Sequence, residues 1–179
     1  MLIGFGILLN GESFNFARKL ELELCEKFGL CWGLKQPPHI TIKCPFETKD
    51  LDKFTNYLQN LSKNIKAFDI ELEGFNYFEP KVIFLDVKEN PKLKDLHFKI
   101  IKDLKEEFNV KPHEFEGNNI KFHSTLAVVD VTKQKFLKAK KYLEKYKPKL
   151  KFKAKQIGIF YYLGKSAGWI IVKEVELKN

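Results

Sequence analysis

The sequence predicts an α+β fold built as a duplication, with two halves packed about an approximate two-fold axis. Three observations carry this. Segments of strand and helix character alternate along the chain. His39-Ile40-Thr41-Ile42 recurs as His123-Ser124-Thr125-Leu126, an offset of 123 − 39 = 84 residues. At the same offset, Gly74-Phe75-Asn76-Tyr77-Phe78 returns as Gly158-Ile159-Phe160-Tyr161-Tyr162. Two matches in one register mark each half as a supersecondary unit that packs against its copy.

Leu2 to Leu9 is an apolar run of strand length. Glu12-Ser13 opens a helix whose Ala17, Leu20, Leu24 and Phe28 recur at helical spacing, and Gly29 ends it. Pro37-Pro38 cannot continue a helix and forces extended chain over His39 to Cys44, which Pro45 closes. A helix from about Asp50 to Ser62 carries Leu51, Phe54, Leu58 and Leu61 on one face. Strands from Ala67 to Phe78 and Lys81 to Val87 meet at a tight hairpin across Glu79-Pro80. Asn90-Pro91 opens a third helix, with Leu93, Leu96, Ile100, Leu104 and Phe108 along one stripe. After a loop through Pro112 and Gly117 come a strand from Phe122 to Val129 and a helix from Thr132 to Tyr146. The chain finishes with strands near Lys151 to Leu163 and Trp169 to Leu177.

With 179 residues, 44% of them apolar, the chain is the size of one domain with a normal core, 1–179. The apolar start is too short to span a bilayer and no basic segment precedes it, so a cytoplasmic protein is expected. Cys25, Cys31 and Cys44 show no Cys-x-x-Cys or zinc spacing and are odd in number, so each is read as a reduced, small apolar residue. A net charge of +9, from 32 Lys+Arg against 23 Asp+Glu, favours an anionic partner. No His-x-His or His-x-x-x-His pair suggests a metal, and no Gly-rich phosphate loop occurs. His97 sits beside an apolar helical stripe and is read as structural; His113 lies in a loop and is left open.

The chemistry follows from the pleat. Side chains alternate along a strand, so His39, Thr41 and Lys43 are expected on one face, and His123, Thr125 and Ala127 on one face of the second copy. Residues two apart lie about 6–7 Å apart, a spacing at which a histidine and a threonine hold different oxygens of one phosphate. Displacement at phosphorus needs a proton acceptor and a proton donor on opposite sides, which a two-fold pair of histidines supplies. Lys43 would add positive charge, and Phe46, Tyr77, Tyr161 and Trp169 are candidate stacking surfaces for a base or ribose.

The paired His39-x-Thr41-Ile42 and His123-x-Thr125-Leu126 resemble the repeated His-x-Thr-x signature of the two-histidine (2H) phosphoesterase superfamily. The stretch Pro37-Pro38-His39-Ile40-Thr41-Ile42-Lys43-Cys44-Pro45-Phe46 is similar to the first motif of its 2'-5' RNA ligase-like members. The resemblance covers essentially the whole chain. It implies a bilobal fold, with two antiparallel β-sheets around a central cleft, helices outside and both histidines at the cleft floor. It implies hydrolysis of a 2',3'-cyclic phosphate, on an RNA end or nucleotide, to a 2'-phosphate, or cleavage of a related 2'-5' or cyclic phosphodiester. No metal or other cofactor is implied, and a monomer suffices because the cleft needs no partner chain. Two alternatives are a 2'-5' RNA ligase and a non-catalytic RNA-end-binding protein. Many relatives carry an arginine shortly after the second motif, where this chain reads Ala127-Val128-Val129. Which histidine is the base stays open.

Overall fold

A computed structural model describes residues 1–178 and contains eight strands and four α-helices among them. Strands β1 (Leu2–Leu8), β2 (His39–Glu47), β7 (Gln156–Tyr162) and β8 (Trp169–Glu176) form one antiparallel sheet in the order β2-β1-β7-β8. Strands β3 (Phe68–Phe78), β4 (Val82–Val87), β5 (His123–Ala127) and β6 (Lys149–Ala154) form a second, in the order β5-β4-β3-β6. Both histidine motifs thus lie on edge strands, and β2 and β5 come side by side where the sheets meet.

Each sheet buries one face under helices, and the helices are exchanged between the halves. Helix α1 (Gly11–Phe28) follows β1 of the first sheet but packs against β5 and β6 of the second, beside α4 (Lys133–Leu143). Helix α3 (Pro91–Phe108) follows β4 of the second sheet but packs against β2 of the first, and α2 (Leu51–Ser62) lies on β7 and β8. The reason is the apolar pattern. Ile3, Phe5, Ile7, Ile40, Ile42, Ile157 and Ile159 all point to the helix side of the first sheet, and Ile70, Leu72, Ile83, Leu85, Leu126, Leu150 and Phe152 to that of the second. Asp50, Asn90 and Thr132 cap their helices by accepting the backbone N–H three residues on.

Two expectations are corrected. The single strand expected from Lys151 to Leu163 is two, since β6 ends at Ala154 and β7 begins at Gln156 in the other sheet. No Gly or Pro marks the crossing at Lys155, so sequence alternation runs straight through it. Cys25 and Cys31 are joined as a disulfide rather than separate thiols. Gly29, in the left-handed region at φ 63°, caps α1 and folds the chain back so that Cys31 meets Cys25 in the last turn. Among the described residues no helix is long and apolar enough to cross a membrane.

Candidate active site

Cross-strand pairing fixes what each strand shows to the cleft. On β2, Thr41 opposes Gly6 and His39 opposes Leu8, so His39 and Thr41 face away from the helices. On the neighbouring strands Gly6, Gly158 and Phe160 share that face. On β5, His123 opposes Asp86 and Thr125 opposes Phe84, and Asn76 and Phe78 of β3 continue the face. Each imidazole lies against a phenylalanine. His39 is tilted on Phe160 with ring centroids 4.1 Å apart, and His123 on Phe84 at 4.6 Å, with Phe78 edge-on at 5.3 Å.

The two rings are held in the same way. His39 Nδ1 lies 2.8 Å from the Pro37 carbonyl and His123 Nδ1 lies 2.6 Å from the Lys121 carbonyl, each two residues upstream of its histidine. A carbonyl only accepts, so each Nδ1 carries a hydrogen and each Nε2 is left to exchange the working proton. Thr41 Oγ1 stands 3.3 Å from His39 Nε2, which places hydroxyl and imidazole at one locus. A pocket of about 130 Å³ opens there, lined by Gly4, Gln36, His39, Thr41, Phe160 and Trp169.

Burial pushes His39 down to about 4, aided by the charge of His123 across the cleft and opposed by the Pro37 carbonyl. His123 is also held below the usual imidazole value, by burial first and then by the Lys121 ammonium, with the Lys121 carbonyl and the Asp86 carboxylate opposing. The two rings lie on adjacent strands, β2 and β5, and the charge of His123 reaches His39.

Four other expected contact residues do not face this cleft. Lys43 is turned away by a β-bulge. Gly6 opposes Thr41 and Phe5 opposes Lys43, so β2 spends two residues where β1 spends one. Its ammonium is buried and paired with Glu116 at 2.8 Å, although the residue borders the pocket. Phe46 opposes Ile3 on the helix side and packs edge-on against Phe5 and Phe54. Tyr77 and Tyr161 occupy equivalent places in the repeat, and both turn to the helix side. Tyr77 opposes Ile83 and rests on Phe136, while Tyr161 opposes Ile3. The cleft aromatics are instead their neighbours Phe78, Phe160 and Tyr162, with Trp169 stacked on Tyr162 at 4.9 Å. Tyr77 and Tyr161 each stand one residue from these positions, so side-chain alternation puts the two sets on opposite faces.

The other histidines and the free thiol take no part here. His97 Nδ1 donates to the Ile42 carbonyl at 2.8 Å and its Nε2 accepts from Gly117 N at 2.9 Å, which uses both nitrogens in tying the loop after α3 to β2. His113 is exposed in that loop. Cys44 is pushed up to about 11 by burial and the nearby Glu116 carboxylate, so it is a poor nucleophile. Among the described residues there is no group of three or more His, Cys, Asp or Glu placed to hold a metal.

Comparison with known proteins identifies a family and a fold. The sequence pattern of the 2'-5' RNA ligase superfamily matches residues 13–166. A Geobacillus thermodenitrificans protein, provisionally named a phosphoesterase, is 34% identical over 91 residues, 47% of this chain and 53% of that one. A Bacillus thuringiensis protein of the same provisional name is 36% identical over 61 residues, 32% of this chain and 36% of the other. The aligned residues thus span about half the length of the first relative and about a third of the second. The crystal structure of TT0787 of Thermus thermophilus superposes at a TM-score of 0.68 and 16% identity, covering 100% of this chain and 99% of that one. E. coli LigT in its apo form superposes at 0.62 and 12% identity, covering 99% and 97%. LigT complexed with 3'-AMP superposes at 0.62 and 11%, covering 99% and 98%. At such identities these structural likenesses are of fold.

Proposed function

This chain belongs to the 2'-5' RNA ligase superfamily, and from that premise we propose that it hydrolyses a 2',3'-cyclic phosphate, on an RNA end or a nucleotide, to a 2'-phosphate. The observation that carries the reading is the matched pair of anchors, Nδ1 of each histidine on the carbonyl two residues before it, which leaves two Nε2 atoms for one reaction. One neutral imidazole takes a proton from water as its oxygen attacks phosphorus. The bond from phosphorus to the ribose 3' oxygen breaks, and the second imidazole, protonated, gives its proton to that oxygen. Thr41 and Thr125 hydroxyls donate to the non-bridging oxygens, where charge builds in the transition state.

The pocket beside His39 is smaller than the roughly 300–1,000 Å³ of a site that encloses a whole small ligand. It therefore suits the reacting phosphate and its ribose, with the base or the rest of an RNA lying along the open cleft near Trp169 or Phe78. LigT complexed with 3'-AMP supports a nucleotide as ligand class. The proposed enzyme works as a cytoplasmic monomer without a bound metal, and ligation would follow the same course with an RNA 5'-hydroxyl in place of water, breaking the same bond to the 3' oxygen and leaving a 2'-5' linkage.

The test is turnover of 2',3'-cyclic nucleotides by chelator-treated protein, with the phosphate position identified in the product. We expect a 2'-phosphate, and a loss of about 10²- to 10⁴-fold in His39→Ala and in His123→Ala. Full activity in either variant would overturn the proposal, and RNA binding without turnover would replace it by end recognition alone.

A further inference from the structure

The two half-sites hold their imidazoles alike but secure the holding carbonyl differently. On the first side it belongs to Pro37, whose ring fixes its own φ and which is followed by another proline, so the carbonyl is rigid by covalent structure. On the second side the equivalent residue, 84 further on, is Lys121, an exposed residue in the loop that enters β5. No proline stiffens it. What pins it is Asp86, whose carboxylate pairs with the Lys121 ammonium at 2.5 Å and accepts from Asn76 Nδ2 at 3.1 Å. Asp86 is also the cross-strand partner of His123 itself. Strand pairing, ion pair and hydrogen bond close a ring through Asp86, Lys121 and His123.

That ring is electrostatic as well as mechanical. The groups about His123 are Asp86 and Phe84 from β4, Phe78 from β3, Lys121 from its own segment, and His39 across the cleft. An unpaired Lys121 ammonium would expel a proton from the ring beside it. Asp86 cancels that charge. His39 rests instead on Phe160, and the nearby Lys43 is already matched by Glu116.

Resting on the proposed reaction, we infer that Asp86 is a positioning residue that keeps His123 oriented and protonated, so that His123 is the general acid in hydrolysis and His39 the general base. The experiment follows His123 by NMR titration of its imidazole in the full chain, alongside the pH profile of kcat/KM. In Asp86→Asn the His123 titration should fall by about one pH unit, the alkaline limb should move down with it, and kcat should drop about tenfold. Lys121→Met keeps the carbonyl and removes the ammonium, so it should move the same titration upward. Opposite shifts are what a merely structural role cannot give. An unmoved His123 in Asp86→Asn, or shifts of one sign in both variants, would overturn the inference. If the wild type opened no cyclic phosphate while the two titrations still diverged, Asp86 would keep its hold on His123 and the proposed reaction would be what failed.

Discussion

A single methyl group at Gly6 should separate catalysis from folding. Gly6 lies on the cleft face of β1, opposite Thr41 on one side and Gly158 on the other. A Cβ there would stand 2.8 Å from Cδ2 of His39 and 2.9 Å from Cε2 of Phe160. Carbon atoms pack best at about 3.5–4.0 Å, so the rings would have to retreat by roughly 1 Å. They already touch each other, with centroids 4.1 Å apart, so His39 must swing about its Pro37 anchor and carry Nε2 off the phosphate. Misplacement by about 1 Å costs on the order of 10²-fold in rate. The crowding itself destabilises by about 1–3 kcal/mol, which a domain of this size survives. The assay is kcat on a 2',3'-cyclic nucleotide for Gly6→Ala, with a thermal melt of the same sample. Gly158→Ala is the comparison, because its Cβ would meet Leu8 and Phe160 at 3.1 and 3.3 Å but not His39, and it should lose less than about tenfold. Equal losses in the two variants, or an unchanged kcat in folded Gly6→Ala, would refute the reasoning.

With His39 as base and His123 as acid, His39 must be neutral and His123 protonated. The free-enzyme profile of kcat/KM should therefore rise through pH 4 and fall again below the usual imidazole value of 6.5, and initial rates across buffers check both limbs. An alkaline limb at or above 7 would count against that assignment. Glu116 is fully buried and accepts from Lys43 Nζ, Cys44 N and His113 N at 2.8, 2.6 and 2.7 Å. Glu116→Ala strands a buried ammonium and should cost about 3–5 kcal/mol in urea unfolding, most of it recovered when Lys43→Met is added. Glu21 is buried on α1, and that burial pushes its carboxyl up to about 8 against the pull of Arg18. Its folded value exceeds its unfolded one, so its contribution to stability is full below pH 4.5 and is lost as pH rises through 8. At most roughly 4–5 kcal/mol is at stake, and Glu21→Gln should flatten the stability-against-pH curve over that window.

Much of the architecture was legible because the repeat and the pleat are both periodic. The 84-residue offset located both motif strands and both Gly-x-x-Tyr strands, and alternation put His39 with Thr41 and His123 with Thr125 on common faces. Periodicity fails where a local event resets parity. The bulge at Ile42 reversed Lys43, and the step at Lys155 sent one apparent strand into two sheets, without a turn residue to announce either. Tyr77 and Tyr161 have the chemistry of stacking residues, but each stands an odd number of residues from the cleft-facing positions of its strand. The Cys25–Cys31 bridge depends on the chain reversal at Gly29, which in one dimension reads only as a helix stop. Asp86 carried no motif at all, since it reaches the site across a strand pair.

The exchange of α1 and α3 between the halves ties the geometry of the cleft to the whole molecule. Cut between β4 and α3, the first fragment would keep α1 without the β5 and β6 surface that it covers, and the second would keep α3 without β2. Neither piece could hide its own oily side. The gap between the imidazoles is thus set by two interlocked bodies that clasp each other, much as the span of a pair of tongs is set at the rivet.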